Sequence, residues 1–87
     1  SGRPLLFDQS ESGRYTQVND LLEKGADFNV RDKTGNLVIH TTAQRNQLGT
    51  MKLVAAKFTD INITGDSGNT AAHFAARSGG TGILKLL

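Results

Sequence analysis

His40 and His73 are the side chains in this chain best placed by type to do chemistry, either as metal ligands or as acid–base groups near neutral pH. A tetrahedral zinc site gathers three or four such groups around one ion. No carboxylate recurs beside the two histidines, and the chain has no Cys to complete a thiolate site or a disulfide. Ser78-Gly79-Gly80-Thr81-Gly82 has the glycine density of a loop that cradles phosphate with successive N–H groups. It lacks the Lys-Ser/Thr that completes a P-loop, and no strand pattern precedes it, so it reads as a turn between helices. Asn62-Ile63-Thr64 has the pattern of a glycosylation acceptor, but no secretory signal accompanies it. Thr41, Thr42 and Asp66 are the groups from which a nucleophilic set with a histidine would be drawn, and such a set has to converge in a pocket. The expectation is a chain without catalysis, without a metal or cofactor and without a small-molecule substrate.

The elements that position these residues recur. Shifted by 33 places, the sequence matches itself at eleven positions: Gly2/Gly35, Lys24/Lys57, Asp27/Asp60, Asn29/Asn62, Gly35/Gly68, Asn36/Asn69, His40/His73, Ala43/Ala76, Gly49/Gly82, Lys52/Lys85 and Leu53/Leu86. Chance at ordinary composition gives roughly three or four. Asp32-Lys33-Thr34-Gly35-Asn36 and Gly65-Asp66-Ser67-Gly68-Asn69 are dense in turn formers. Helices are predicted after them, over Val38–Arg45 and Ala71–Ser78, with the small residues Thr42, Ala43, Ala75 and Ala76 on a face that lets a neighbour approach. Asn46 and Gly79 tolerate the left-handed conformation that closes a helix. Second helices follow over Thr16–Lys24, Thr50–Lys57 and from Ile83 onward. In the first of these, Val18, Leu21 and Leu22 form one apolar stripe and Gly25 stands at its end. Turn, helix, tight turn, helix is a unit that buries its faces only by stacking. Stacking sets His40 and His73 at equivalent positions about 10 Å apart, too far to share one zinc ion.

Composition restricts the class further. With 87 residues there is room for one domain, and a body that small buries only about 60% of its unfolded surface. The longest apolar runs are about five residues, well short of the roughly 20 that cross a membrane. Ten basic and eight acidic residues alternate to a net charge of +2, without the basic block of a nucleic-acid binder.

Gly25-Ala26-Asp27-Phe28-Asn29 followed by Asp32-x-x-Gly35 resembles the joint of the ankyrin repeat, and Asn69-Thr70-Ala71-Ala72-His73-Phe74-Ala75-Ala76-Arg77-Ser78-Gly79 resembles its first-helix signature. The resemblance covers nearly the whole chain as one domain, in three units at about 4–31, 32–64 and 65–87. It implies an all-α solenoid of stacked helix-turn-helix pairs, L-shaped in section, with β-hairpin-like finger loops, and a histidine that bonds structurally near each helix start. Departures concentrate in unit two. Leu37-Val38-Ile39-His40 lacks the usual proline, and Phe58 stands where the family takes positive φ, so that turn must be built differently and the middle unit is expected to be loose. Phe7 replaces the histidine in unit one, as at an N-terminal edge. Gly49 and Gly82 cost up to about 1 kcal/mol each if they lie inside helices. Leu86-Leu87 falls inside the third unit's second helix, which suggests a fragment of a longer array.

By the same resemblance, another protein docks on the concave surface of finger tips and first helices. Those positions are Glu11 and Ser12 in unit one, and Lys33, Thr34, Asn36, Gln44 and Arg45 in unit two. In unit three they are Asp66, Ser67, Asn69, Arg77 and Ser78. Their side chains are expected to carry no packing duty. Arg31, Lys33, Arg45 and Arg77 would favour an acidic partner if they act together. Two roles stay open: an intracellular adaptor or inhibitor, cytoplasmic or nuclear, that masks a partner's surface as the NF-kappaB inhibitors of this family do, or a recruiting segment of a larger enzyme or channel. Nucleic-acid binding and membrane insertion are not expected.

Overall fold

The period of the sequence reappears as three helix pairs laid side by side in the computed structural model, which describes residues 3–87. Ser1 and the Gly2/Gly35 match lie outside the described residues. The first pair is α1 (Leu5–Glu11) and α2 (Tyr15–Glu23), the second α3 (Val38–Gln44) and α4 (Leu48–Ala55), the third α5 (Ala71–Arg77) and α6 (Thr81–Leu86). First helices stack on first helices and second on second, with α3 between α1 and α5. Leu6, Phe7, Val18, Leu22, Leu37, Val38, Ile39, Met51, Val54, Phe74 and Ile83 are buried in one continuous core that runs through all three units.

The tight turns form as their residue types require. Asn46 at φ 56° closes α3 as Gly79 at φ 73° closes α5, each releasing the chain into the next helix within two or three residues. The exit from α4 has no left-handed residue. Lys57 N–H bonds to Val54 O at 3.0 Å and Phe58 N–H to Ala55 O at 3.2 Å, so the last turn simply tightens. The Phe58 ring then meets Phe28 edge to face at 5.2 Å.

The fingers are tight turns rather than hairpins: Asp32 N–H bonds to Asn36 O and Gly65 N–H to Asn69 O, both at 2.8 Å, and Gly35 N–H to Asp32 O at 3.0 Å and Gly68 N–H to Gly65 O at 3.1 Å tighten them from within. Among the described residues there is no strand, and finger three carries a short 3-10 turn over Asp66–Gly68.

Unit two is the best buried of the three, contrary to the expectation that it is loose. Every residue from Val38 to Ala43 is buried, because α3 has a neighbour on each side. Its two threonines are satisfied within the helix: Thr42 Oγ1 donates to Val38 O at 2.7 Å and Thr41 Oγ1 to the same carbonyl at 3.3 Å. Stacking replaces what the missing proline would have supplied.

The second helices begin earlier than the sequence suggests, which places Gly49 and Gly82 in first turns. There the backbone N–H groups have no intrahelical partner in any case, and at Gly82 the missing side chain makes room. A Cβ on Gly82 would stand 3.0 Å from Leu48 Cδ2, whereas one on Gly49 would meet only Tyr15 Cδ2 at 3.9 Å, an ordinary contact. Gly49→Ala is therefore expected to stabilise the chain by about 0.5 kcal/mol through helix propensity and reduced unfolded-state entropy. A rise in the midpoint of urea unfolding checks it.

Candidate partner-binding surface

Fingers two and three are tied to each other by side chains that reach across the stack. Arg31 donates through one guanidinium nitrogen to Gly35 O at 2.7 Å within its own finger and to Thr64 O at 2.9 Å in the next. Asn36 Oδ1 accepts from Asp66 N–H at 2.7 Å. His40 Nδ1 accepts from Leu37 N–H at 2.9 Å, and its Nε2–H donates to Ile63 O at 2.8 Å. Within finger two, the Asp32 carboxylate accepts from Thr34 N–H, Thr34 Oγ1 and Asn36 N–H at 2.7–2.9 Å. Burial works to raise that carboxyl, but the Thr34 hydroxyl and the two N–H groups outweigh it and hold it below its ordinary value.

These bonds sort the sequence-predicted residues. Lys33, Thr34, Asp66 and Ser67 are exposed on the fingers, and Ser12, Gln44, Arg45 and Arg77 are exposed at the ends of the first helices. Asn69 is half-buried. Three others do carry packing duty, against expectation. Asn36 is 5% exposed, its Oδ1 accepting from Asp66 N–H across the fingers and its Nδ2–H donating to Thr34 Oγ1 within its own. Ser78 Oγ donates to Ala43 O at 3.0 Å and to Ala75 O at 3.1 Å, tying α5 to α3. The Glu11 side chain is 11% exposed and held by Arg3 at 2.7 Å, with Arg45 at 3.8 Å. Among the cations, Lys33 and Arg77 make no ion pair among the described residues, and Arg77 lies 5.9 Å from the centre of the Phe74 ring.

The residues considered for chemistry are held apart. His40 is completely buried. Burial pushes its pKa down, the bond to Ile63 O pulls it up, Arg31 lowers it and Asp32 raises it, with a net fall below the usual histidine value. His73 bonds to Thr70 at its own helix start, with Nδ1 at 3.0 Å from Thr70 N and 2.8 Å from Thr70 Oγ1. Thr41 and Thr42 are spent on Val38 O. Among the described residues, no three His, Cys, Asp or Glu side chains come together in a way that would hold a metal ion. Gly80 is buried as the turn into α6, with Gly80 N–H on Ala75 O at 2.8 Å. Two clefts among the described residues are open, one of about 510 Å³ beside Arg3, Arg31 and Lys33 and one of about 300 Å³ beside Phe28 and Phe58. No helix of the described residues is long and apolar enough to cross a membrane.

Set against the profiles of known protein families, residues 6–87 match ankyrin repeats, in three copies. The chain belongs to the ankyrin-repeat family. Ankyrin repeats are generally protein–protein interaction modules and typically non-catalytic scaffolds. No curated protein matches the sequence. The roles of Arg31, Gln47 and Thr50 escaped the sequence reading. Gln47 Nε2–H donates to Glu11 O at 3.0 Å and Thr50 Oγ1 to Ser10 O at 2.8 Å, joining units one and two as Arg31 joins fingers two and three. Arg31 precedes Thr64 by one period, yet its type changes between the repeats, so periodicity gave no signal for it.

Proposed function

We propose that this ankyrin-repeat chain is an adaptor or inhibitor module that docks one partner protein across fingers two and three and the ends of α3 and α5. The observation that carries this reading is the locking of the two fingers by Arg31, Asn36 and His40 beneath a set of exposed side chains. Such a surface loses little entropy on binding, so a few anchors suffice for affinity. Lys33, Arg45 and Arg77 are the anchors proposed, since they reach furthest and are not fully committed within the chain.

The test is calorimetry of the chain with its purified partner, captured through the intact chain. The Lys33→Ala, Arg45→Ala, Arg77→Ala triple variant is expected to bind about tenfold or more weakly, with unfolding unchanged because all three side chains are exposed. Affinity within a factor of two of the parent would place the partner elsewhere on the molecule.

A further inference from the structure

An apolar ledge runs along the side of the stack, at the first turns of the second helices and at the end of each helix pair away from the fingers. Tyr15 and Leu48 open α2 and α4 one period apart, and they are 52% and 38% exposed. Each leans over a glycine of the next unit. A Cβ on Gly49 would stand 3.9 Å from Tyr15 Cδ2, and one on Gly82 would stand 3.0 Å from Leu48 Cδ2. The two side chains and two glycines therefore form one low, continuous surface. Leu48 belongs to the middle unit, with α2 on one side and α6 on the other, so stacking leaves the ledge uncovered.

Packing accounts for Gly82 but not for Gly49. A side chain at Gly49 has room within the chain, and glycine weakens a helix relative to almost any other residue. Gly49 is exposed, so what its missing side chain keeps clear is the ledge itself. The rest of α4 is unusually apolar for a helix with an outer face. Lys52 is its one charged residue, and Thr50 is turned inward onto Ser10 O at 2.8 Å.

Charge is segregated around this ledge. The helices α3 to α6 contain no Asp or Glu, whereas α1 and α2 carry Asp8, Glu11, Asp20 and Glu23. In units two and three the acidic residues Asp32, Asp60 and Asp66 all lie in fingers and joints. Lys52 and Lys85, one turn beyond Leu48 and Gly82, are exposed and make no ion pair among the described residues.

We propose that this ledge is a second protein-binding surface, independent of the fingers, and that it takes an acidic amphipathic helix of another protein. The apolar face of that helix lies on Tyr15 and Leu48 across the clear ground of Gly49, and its carboxylates meet Lys52 and Lys85.

The test is nuclear magnetic resonance of the whole chain titrated with a synthetic helix bearing leucine at i, i+3, i+4 and i+7 and glutamate on both flanks. Saturable shifts at the Tyr15 ring and the Leu48 methyls are expected, weakening as salt is added. The Lys52→Glu, Lys85→Glu variant is expected to bind about tenfold or more weakly, and Lys33→Ala, on the fingers, to bind as the parent does. Gly49→Gln is expected to bind about tenfold more weakly while its urea midpoint stays at or above that of the parent, because glutamine suits a helix better than glycine. A glycine kept for folding would give the opposite pair of results. Shifts centred on the fingers, equal binding of a peptide with lysine in place of glutamate, full affinity in Gly49→Gln, or no shift at the highest soluble concentration would each overturn the proposal. Shifts at Leu48 that arise with the concentration of the chain alone would overturn it by assigning the ledge to a second copy. Sedimentation with phosphatidylserine vesicles, lost in the Lys52→Glu, Lys85→Glu variant and without any response to the peptide, would overturn it by assigning the ledge to a lipid surface.

Discussion

Ile39→Ala is expected to cost about 4 kcal/mol and to leave little of the chain's stability. Ile39 is fully buried in the middle helix of the stack, where α3 is flanked by α1 and α5 and backed by α4. Truncating a buried isoleucine removes its transfer free energy and leaves a cavity that neighbours on every side are too constrained to fill, about 2–5 kcal/mol in all. A domain of this length holds roughly 4–13 kcal/mol in total, so the loss is a large share of the whole. Leu84→Ala, at a side chain 39% exposed on α6, is expected to cost less than about 1 kcal/mol. Urea unfolding followed by circular dichroism checks both. A loss at Ile39 no larger than that at Leu84 would mean that the middle unit is not what holds the outer two.

That ranking reverses what local sequence suggests, and the reason is physical. Unit two departs furthest from the repeat pattern, with Leu37 where unit three has Thr70, no proline, and Phe58 where unit one has Gly25. Propensity and turn chemistry govern one unit at a time, whereas burial depends on position in the stack, and unit two alone among the three has neighbours on both sides. The period, the turns and the helix ends were legible because Gly and Asn state their backbone preference by type, as Asn46 and Gly79 do. The starts of the second helices were not. Arg14, Gln47 and Gly80 supply no capping side chain, so nothing in the sequence marks the first turn. The packing roles of three residues expected on the partner-binding surface were hidden for the same kind of reason. Asn36 and Ser78 are polar residues at apparently exposed positions, but their partners Asp66 and Ala43 lie 30 and 35 residues away. Glu11 is taken up by Arg3, eight residues before it. Polarity predicts exposure only where no distant backbone group needs a partner.

His40 concentrates that distinction, and its replacement is expected to have the second largest effect. The ring caps its own helix through Leu37 N–H, bonds across the stack to Ile63 O, and lies 5.8 Å from the Phe74 ring. His40→Ala leaves a buried N–H and a carbonyl without partners, each worth about 1–3 kcal/mol, and opens a void beside Gly65. A loss of about 3 kcal/mol is expected. His73→Ala removes the same local cap from an exposed position and is expected to cost under about 1 kcal/mol. Protonation acts on the same bonds. A proton on Nδ1 would face Leu37 N–H, and the buried ring is held below its ordinary pKa of 6.5, chiefly by desolvation. Because the unfolded chain takes up that proton first, the contribution of His40 is fully present above about pH 6.5 and is lost as pH falls through the depressed folded value. Arg31 beside the ring works in the same direction, while Asp32 opposes it. Urea midpoints of the parent chain are therefore expected to fall between neutral and mildly acid pH, ahead of carboxylate titration, and His40→Ala is expected to flatten that part of the profile. An unchanged slope in the variant would place the acid sensitivity on another group and leave the joint between units two and three indifferent to protons.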